Sequence, residues 1–453
     1  MDTATSLERA LGSRLRGELI FPGGVGYDEA RSVFNAMIDR RPVAVARCAD
    51  ASDVSRAVQA ARDHDLTVSV RGGGHGVAGS AVRDGALMLD MSLMKGLRVD
   101  VDTARAYAEP GLLLGEFDRG TGVHGLATPL GVVSLTGIAG LTLGGGLGWL
   151  SGKHGLACDN LLAAEVVTAD GRTLRATEAE HADLLWGLRG AGGNFGVVTS
   201  FEYRLHPVAT VLAGGLSFPW AMAREVLGFY DAFAKAAPDE LSTAASLGKG
   251  PDGEPTVSVA ACWSGNIEDG REVLRPLLAL GRASGGFAPV PYPTWQSAPD
   301  AGFPDGRLQY WKAGFLRTLS DAAIDVLLRF VPEMPSSLSG VGLQQMHGVA
   351  SRVDPGATAF HHRAEQYDFL ILSQWPEASE TERNVDWSRA LFEAMSPHLE
   401  DAVYVNNLGD EGRDRVRAAY GANYEKLVAV KDAYDPDNFF RANQNIRPGS
   451  SGA

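Results

Sequence analysis

Two apolar periods alternate along the chain. Residues 42–47 and 66–70 are rich in valine and alanine and read as strands. Between them Val54, Ala57, Val58 and Ala61 recur at helical spacing, so a helix is expected through Arg62, capped by Ser52 or Asp53. Residues 86–89 make another apolar run. Val99 and Val101 alternate with Asp100 and Asp102 in a stretch, 87–110, that holds two or three short strands. A short helix is expected over 112–120, a hairpin over 162–176 turned at Asp170-Gly171, a helix over 178–189 and a strand over 196–204. Residues 1–40 read as a short helical arm with a turn over 21–26.

His206-Pro207 is a natural boundary. Beyond it strands and helices alternate: helices over 220–236 and 267–279, strands over 256–263 and 367–374. Residues 411–436 read as helical, closed by Asp435-Pro436. The expected segments are 1–207, 208–405 and 406–453. A length of 453 residues, 45% of them hydrophobic, supports more than one core. No apolar run reaches the roughly 18 residues of a membrane span. The N-terminus carries acidic residues and no apolar signal region, which points to the cytoplasm. A net charge of −14 argues against nucleic acid or acidic membranes as partners. Cys48, Cys158 and Cys262 make neither a disulfide framework nor a metal spacing, so no metal is expected.

The candidate chemistry gathers in residues 68–80, VSVRGGGHGVAGS. Gly72, Gly73, Gly74 and Gly76 leave their amides bare for a negative group, and Arg71 adds positive charge. The imidazole of His75 sits among them, and a loop built only for phosphate does not need one. Gly74-His75-Gly76-Val77-Ala78-Gly79 matches GxGxxG, but that fingerprint must open a helix. Here the turn Arg83-Asp84-Gly85 leads to another strand, which disfavours a nicotinamide-binding Rossmann site.

This loop has company in Gly144-Gly145-Gly146-Leu147-Gly148-Trp149, in Gly155-Leu156-Ala157-Cys158-Asp159-Asn160 and in the run RGAGGNFGVV over 189–198. With them the chain, from about residue 43 to 446, resembles the FAD-linked oxidases of the vanillyl-alcohol oxidase and berberine-bridge-enzyme type. The resemblance implies an α+β, two-domain flavoprotein. Its FAD-binding domain, of PCMH type, is built from both ends of the chain, and a central substrate domain lays an antiparallel sheet over the flavin. FAD would be linked covalently through His75. Arg71, the glycines at 72, 73, 74 and 76, Gly79 and Ser80 would serve the pyrophosphate. Gly137, Gly140, Gly144 and Gly145 would let the backbone approach the ring. Gly193, Gly196 and Val198 would meet the adenosine side, and the tail with Asn443 and Asn445 would return to the flavin. Thr136 falls at the family's oxygen gate. Bicovalent members carry a cysteine where Val133 stands, so a single link is expected, as in the hydroxynicotine-oxidase-like branch. Cys158 is expected to be a small buried residue.

Hydride transfer from an alcohol or amine usually needs a group to take the substrate proton. The family's base position, on the strand after Phe360-His361-His362-Arg363, falls on the apolar Leu370 or Ile371. Asp368 shares a strand face with Leu370 and becomes a catalytic candidate. His347, on a strand expected over the flavin, and Tyr404, at another family active-site position, are the others; Tyr310 and Lys312 lie on a similar strand. Each also has a plainer reading as a hydrogen-bonded core or rim residue. The expected activity is oxidation of a CH–OH or CH–NH group of a small organic molecule (an alkaloid, a sugar or a secondary-metabolite intermediate), with O2 as acceptor. Two alternatives stand beside it: a flavin dehydrogenase with another acceptor, and a non-catalytic small-molecule binding protein on the same scaffold.

Overall fold

The parallel strands Ala44–Arg47, Leu87–Asp90 and Val68–Arg71 deliver the chain into the histidine loop, with Glu18–Ile20 added antiparallel at the edge. Parallel neighbours need a crossover, and the helix Ala51–Asp63 makes it. It buries Val54, Ala57, Val58 and Ala61, the face marked by the sequence. Its cap is Asp50, whose carboxylate accepts from the amide of Asp53 at 3.0 Å. Asp53, expected as a cap alongside Ser52, is instead buried and accepts backbone amides of Arg16, Gly17 and Ala49. The computed structural model of the protein describes residues 3–449.

A five-stranded antiparallel sheet follows, in the order Leu97–Asp100, Arg105–Ala108, Val197–Arg204, Leu161–Val167, Thr173–Ala176. The expected hairpin is its last pair, and Gly171 turns it at φ +80°. The sequence pattern marked no element in the glycine-rich stretch 128–155. That stretch holds the helix Ile138–Leu143. Where that helix begins, two backbones cross: a Cβ on Gly73 would sit 2.5 Å from the amide nitrogen of Gly137, so both positions require glycine.

The third large sheet has seven antiparallel strands between Thr210 and Trp375. The helices Ala223–Lys235, Asp321–Phe330 and Thr381–Met395 pack on one face, around Tyr230, Leu327, Phe369 and Leu391. The strand Gln366–Trp375 shows the alternation clearly. Tyr367, Phe369 and Ile371 join that core, while Asp368, Leu370 and Leu372 face the opposite side.

The stretch 411–436, expected to be helical, holds two helices, Arg413–Tyr420 and Tyr424–Tyr434, parted where Gly421 takes φ +53° with His361 against it. Val403, Val405, Leu408, Tyr420, Leu427 and Ile446 share a core with Phe117, Leu161 and Phe201, so the chain's end packs with its first half. The fold is therefore α+β, with the C-terminal stretch returned to the N-terminal sheets. Among the described residues no helix is long and apolar enough to cross a membrane, and no cluster of His, Cys, Asp and Glu is placed to hold a metal.

One buried ion pair fastens the returning tail. Lys431 and Asp435 are fully buried, 2.6 Å apart. The Lys431 ammonium also donates to the carbonyls of Asn194 at 2.8 Å and Phe440 at 2.9 Å, while Asp435 accepts the amides of Phe439 and Phe440. Removing one partner leaves an uncompensated buried charge, which costs about 3–5 kcal/mol. Lys431→Ala should therefore lower stability by about that amount in denaturant unfolding.

Candidate active site

A cleft of about 360 Å³ runs between the glycine loops and the seven-stranded sheet. An adjoining cavity of about 160 Å³ shares Gly72, Ser80, Gly140, Gly193 and Asn443 with it. Of the residues expected at a cofactor, Gly72, Gly73, Gly74, His75, Gly76 and Ser80 line the cleft. So do Thr136, Gly137, Gly140, Gly144, Gly193 and Asn443. Gly196 and Val198 line the adjoining cavity. Asp368 and Tyr404 lie on the cleft as well. At Gly76, Gly140 and Gly193 an added Cβ would meet no protein atom within 4 Å, so these backbones border open space. Among the described residues neither lysine nor arginine lines either cavity. An anionic ligand there would be held by backbone amides.

Five expectations need correction. Arg71 turns away from the cleft: its guanidinium binds the buried Asp90 carboxylate at 3.0–3.1 Å and the Ser32 carbonyl at 2.9 Å, so its charge is spent on the fold. Gly79, at φ +65°, and Gly145, at φ +129°, are turn positions packed against Ile38 and against Phe360 and Tyr404. Asn445 does not line the cleft, and its Oδ1 is buried without a partner. His347 lies just past the strand Gly340–Met346 and packs against Gly152, its Nε2 at 2.8 Å from the Leu241 carbonyl. The residue of that strand on the cleft is Gln344, paired with Asp368 in the sheet.

His75 is half-buried, and its Nε2 is buried with no hydrogen-bond partner among the described residues. Burial pushes its pKa down to about 4, against the backbone bond and the Asp300 charge that favour protonation. The ring is neutral at ordinary pH. Val133 also lines the cleft, whereas Cys158 is fully buried beside Leu147 and Tyr404 and does not, so the sulfur stays away from it.

Asp368 is the carboxyl of the cleft's sheet wall. Asn407 Nδ2 donates to its Oδ2 at 2.6 Å, and its Oδ1 is buried without a partner among the described residues. Burial raises its pKa to about 7, with the Asn407 bond opposing. The Tyr404 phenol oxygen accepts from the amides of Gly146 at 2.7 Å and Leu147 at 3.3 Å and from Asn406 Nδ2 at 2.8 Å. Burial pushes its pKa up, and the phenol stays protonated.

The sequence reading missed Trp311, Phe303 and Leu372 on the apolar wall, with Gln344 and Asn406 among the polar groups. Strand alternation places Trp311 on the cleft and turns its polar neighbours away. Lys312 pairs with Glu411 at 2.8 Å, and Tyr310 accepts from Arg389.

The family profile "FAD binding domain" matches residues 42–177, and "Berberine and berberine like" matches 403–447. The (R)-6-hydroxynicotine oxidase of Paenarthrobacter nicotinovorans is 32% identical over 457 residues, covering 96% of this chain and 98% of that protein. An FAD-linked oxidoreductase of Dictyostelium discoideum is 31% identical, covering 98% of each. The crystal structure of 6-hydroxy-D-nicotine oxidase from Arthrobacter nicotinovorans superposes with a TM-score of 0.88 at 29% identity, covering 95% of this chain and 98% of that one. The chain belongs to the berberine-bridge-enzyme-like family of FAD-linked oxidases. It is an FAD-dependent oxidoreductase, and its glycine loops and cleft fit that cofactor.

The strain at Asp368 is open to measurement. Its folded pKa lies above the unfolded value near 3.9, so ionisation opposes folding as pH rises from 4 to about 7 and adds nothing further above that. Asp368→Asn, neutral at every pH, should match the wild type near pH 4. Its advantage in thermal midpoint should grow to pH 7 and then level off.

Proposed function

We propose that this protein oxidises a CH–OH or CH–NH group of a small organic molecule by hydride transfer to flavin N5, with O2 as electron acceptor and H2O2 as product. The observation that carries the reading is one buried carboxyl with a free oxygen, Asp368, on the sheet wall of a cleft whose other wall holds a neutral histidine and bare glycine backbones. FAD, when bound, supplies the hydride acceptor. The chain supplies the rest. Asp368 Oδ1 takes the substrate's O–H or N–H proton, and a pKa near 7 suits that task at neutral pH. Asn407 orients the carboxylate through Oδ2. Trp311, Phe303, Leu370 and Leu372 give the substrate an apolar wall that excludes water. A substrate with an apolar or aromatic body beside its oxidised carbon suits this wall, as in an alkaloid or another secondary-metabolite intermediate. A sugar would have fewer polar partners there.

His75 is proposed as the single covalent anchor. Its imidazole nitrogen would hold FAD by a covalent bond in place of one C–H bond of the cofactor, and O2 would be the two-electron oxidant that balances the attachment, giving H2O2. An unpartnered neutral imidazole supports this role, and Val133 in the cleft supports a single link.

Acid precipitation tests the anchor. Yellow colour should stay in the pellet of the wild type and move to the supernatant, or disappear, in His75→Ala; colour that never pellets would refute the link. Asp368→Asn should keep its flavin spectrum while slowing anaerobic bleaching by substrate about 10²-fold or more. In the wild type the bleaching rate should rise with pH through about 7, and the variant should lose that rise. Slow reoxidation in air with fast reoxidation by a quinone would assign a dehydrogenase instead. Ligand binding without bleaching would assign a binding protein.

A further inference from the structure

The residue that backs His75 lies in the N-terminal stretch that no motif marked. Phe34 is 2% exposed, and its ring stacks on the imidazole with centroids 3.9 Å apart and planes 14° from parallel. Phe34 does not line the cleft, so it covers the histidine from outside it. Its backbone is pinned on two sides. On the loop side, the Phe34 amide donates to the Gly74 carbonyl at 3.1 Å and Asn35 Nδ2 donates to the Val77 carbonyl at 2.9 Å. On the sheet side, the Gln309 amide donates to Asn35 Oδ1 at 3.1 Å and the Ala36 amide to the Arg307 carbonyl at 3.0 Å. Three consecutive residues thus stitch the histidine loop to Leu308–Leu316, the edge strand of the seven-stranded sheet. The edge of Phe34 also meets Trp311, at 6.2 Å and 76°, and Trp311 lines the cleft.

We propose that Phe34 is a positioning residue for His75, holding the imidazole dry and in one plane for its bond to FAD, and that docking of the strand Leu308–Leu316 sets this hold. The proposal rests on the reading of His75 as the anchor. The physical argument is desolvation. An apolar ring stacked on one face removes the water that would stabilise the imidazolium. Among the described residues the charge that bears on His75 is that of Asp300, and it favours protonation. The Asp300 carboxylate is itself occupied by the amide and hydroxyl of Ser134. Without Phe34, water and Asp300 would return the imidazole toward the ordinary value near 6.5.

The test is the pH profile of attachment, which a residue that merely fills space would not change. Full-length protein from riboflavin-starved cells is mixed with FAD at pH 5.5 and at pH 8, and acid-precipitable flavin is followed in time. The wild type should attach at nearly equal rates at both pH values. Phe34→Ala should attach about ten-fold more slowly at pH 5.5 than at pH 8, the drop in neutral imidazole for a pKa near 6.5. Phe34→Trp should restore the flat profile. Phe34→Leu, which keeps apolar volume and loses the stack, replaces the alanine variant if that one does not fold, and should show a pH dependence intermediate between alanine and wild type. A flat profile in both smaller variants would overturn the proposal. A wild type that never links flavin would refute the anchor and not the hold. The hold is then read by NMR titration of His75 in the flavin-free full chain. A midpoint at least one pH unit higher in the variant than in the wild type supports it, and equal midpoints overturn it.

Discussion

Everything at this site depends on one close approach of two backbones. Gly73 and Gly137 touch where the histidine loop passes the start of the helix Ile138–Leu143, and neither tolerates a Cβ. A β-carbon at either position would force the two segments apart, and the gap would open inside the wall of the cleft. Because they touch, the strand Val68–Arg71 ends at a fixed distance from the stretch that carries Thr136, Gly140 and Gly144. The glycines at this crossing do structural work, and the space they leave on the far side is the cleft itself.

Around that crossing the chain is tied by charges moved out of water. Asp90, fully buried, receives Arg71 and Arg47 and so keeps the histidine loop on its sheet. Arg363, 1% exposed, grips Asp159 through both its terminal nitrogens at 2.7–2.8 Å and also donates to Thr358 and Ala350. That pair joins two of the motifs, Phe360-His361-His362-Arg363 and the segment ending Cys158-Asp159-Asn160, and it brings Phe360 against Tyr404. Lys431 does the same for the tail. Each of these groups has its partners, as low dielectric demands. Asp368 and His75 are the contrast: each keeps a buried polar atom without a partner, and both face the cleft. Where such an uncompensated polar atom borders the cleft, a ligand can complete it.

Much of the fold was legible because its signals are local. Period-two alternation placed Asp368 and Leu370 on one face, and helical spacing found the buried side of Ala51–Asp63. The same signals misled where a side chain's fate depends on a distant element. Arg71 reads as a charge for an anion, but Asp90 lies beside it only because two parallel strands pair. His347 reads as a strand residue over the cofactor, but the strand ends one residue earlier. Phe34 carries no local signal at all, since its importance comes from the segment 34–36 being stitched to Gly74 by Phe34 and to Arg307 by Ala36.

By itself the sequence determined the classes of element, the glycine loop with its histidine and the family to which these belong, because such features rest on residues close together in the chain. Tertiary structure alone decided which polar groups are spent and which are left free. A guanidinium, a carboxyl or an imidazole takes its charge state and its role from what lies within a few ångströms, and here those neighbours come from other segments, 19 to 41 residues away in the chain. Asp368 is a weak acid because the fold buries it, and among the described residues Asn407 is the one group that donates to it. His75 is neutral because the surrounding fold, Phe34 included, keeps it from water.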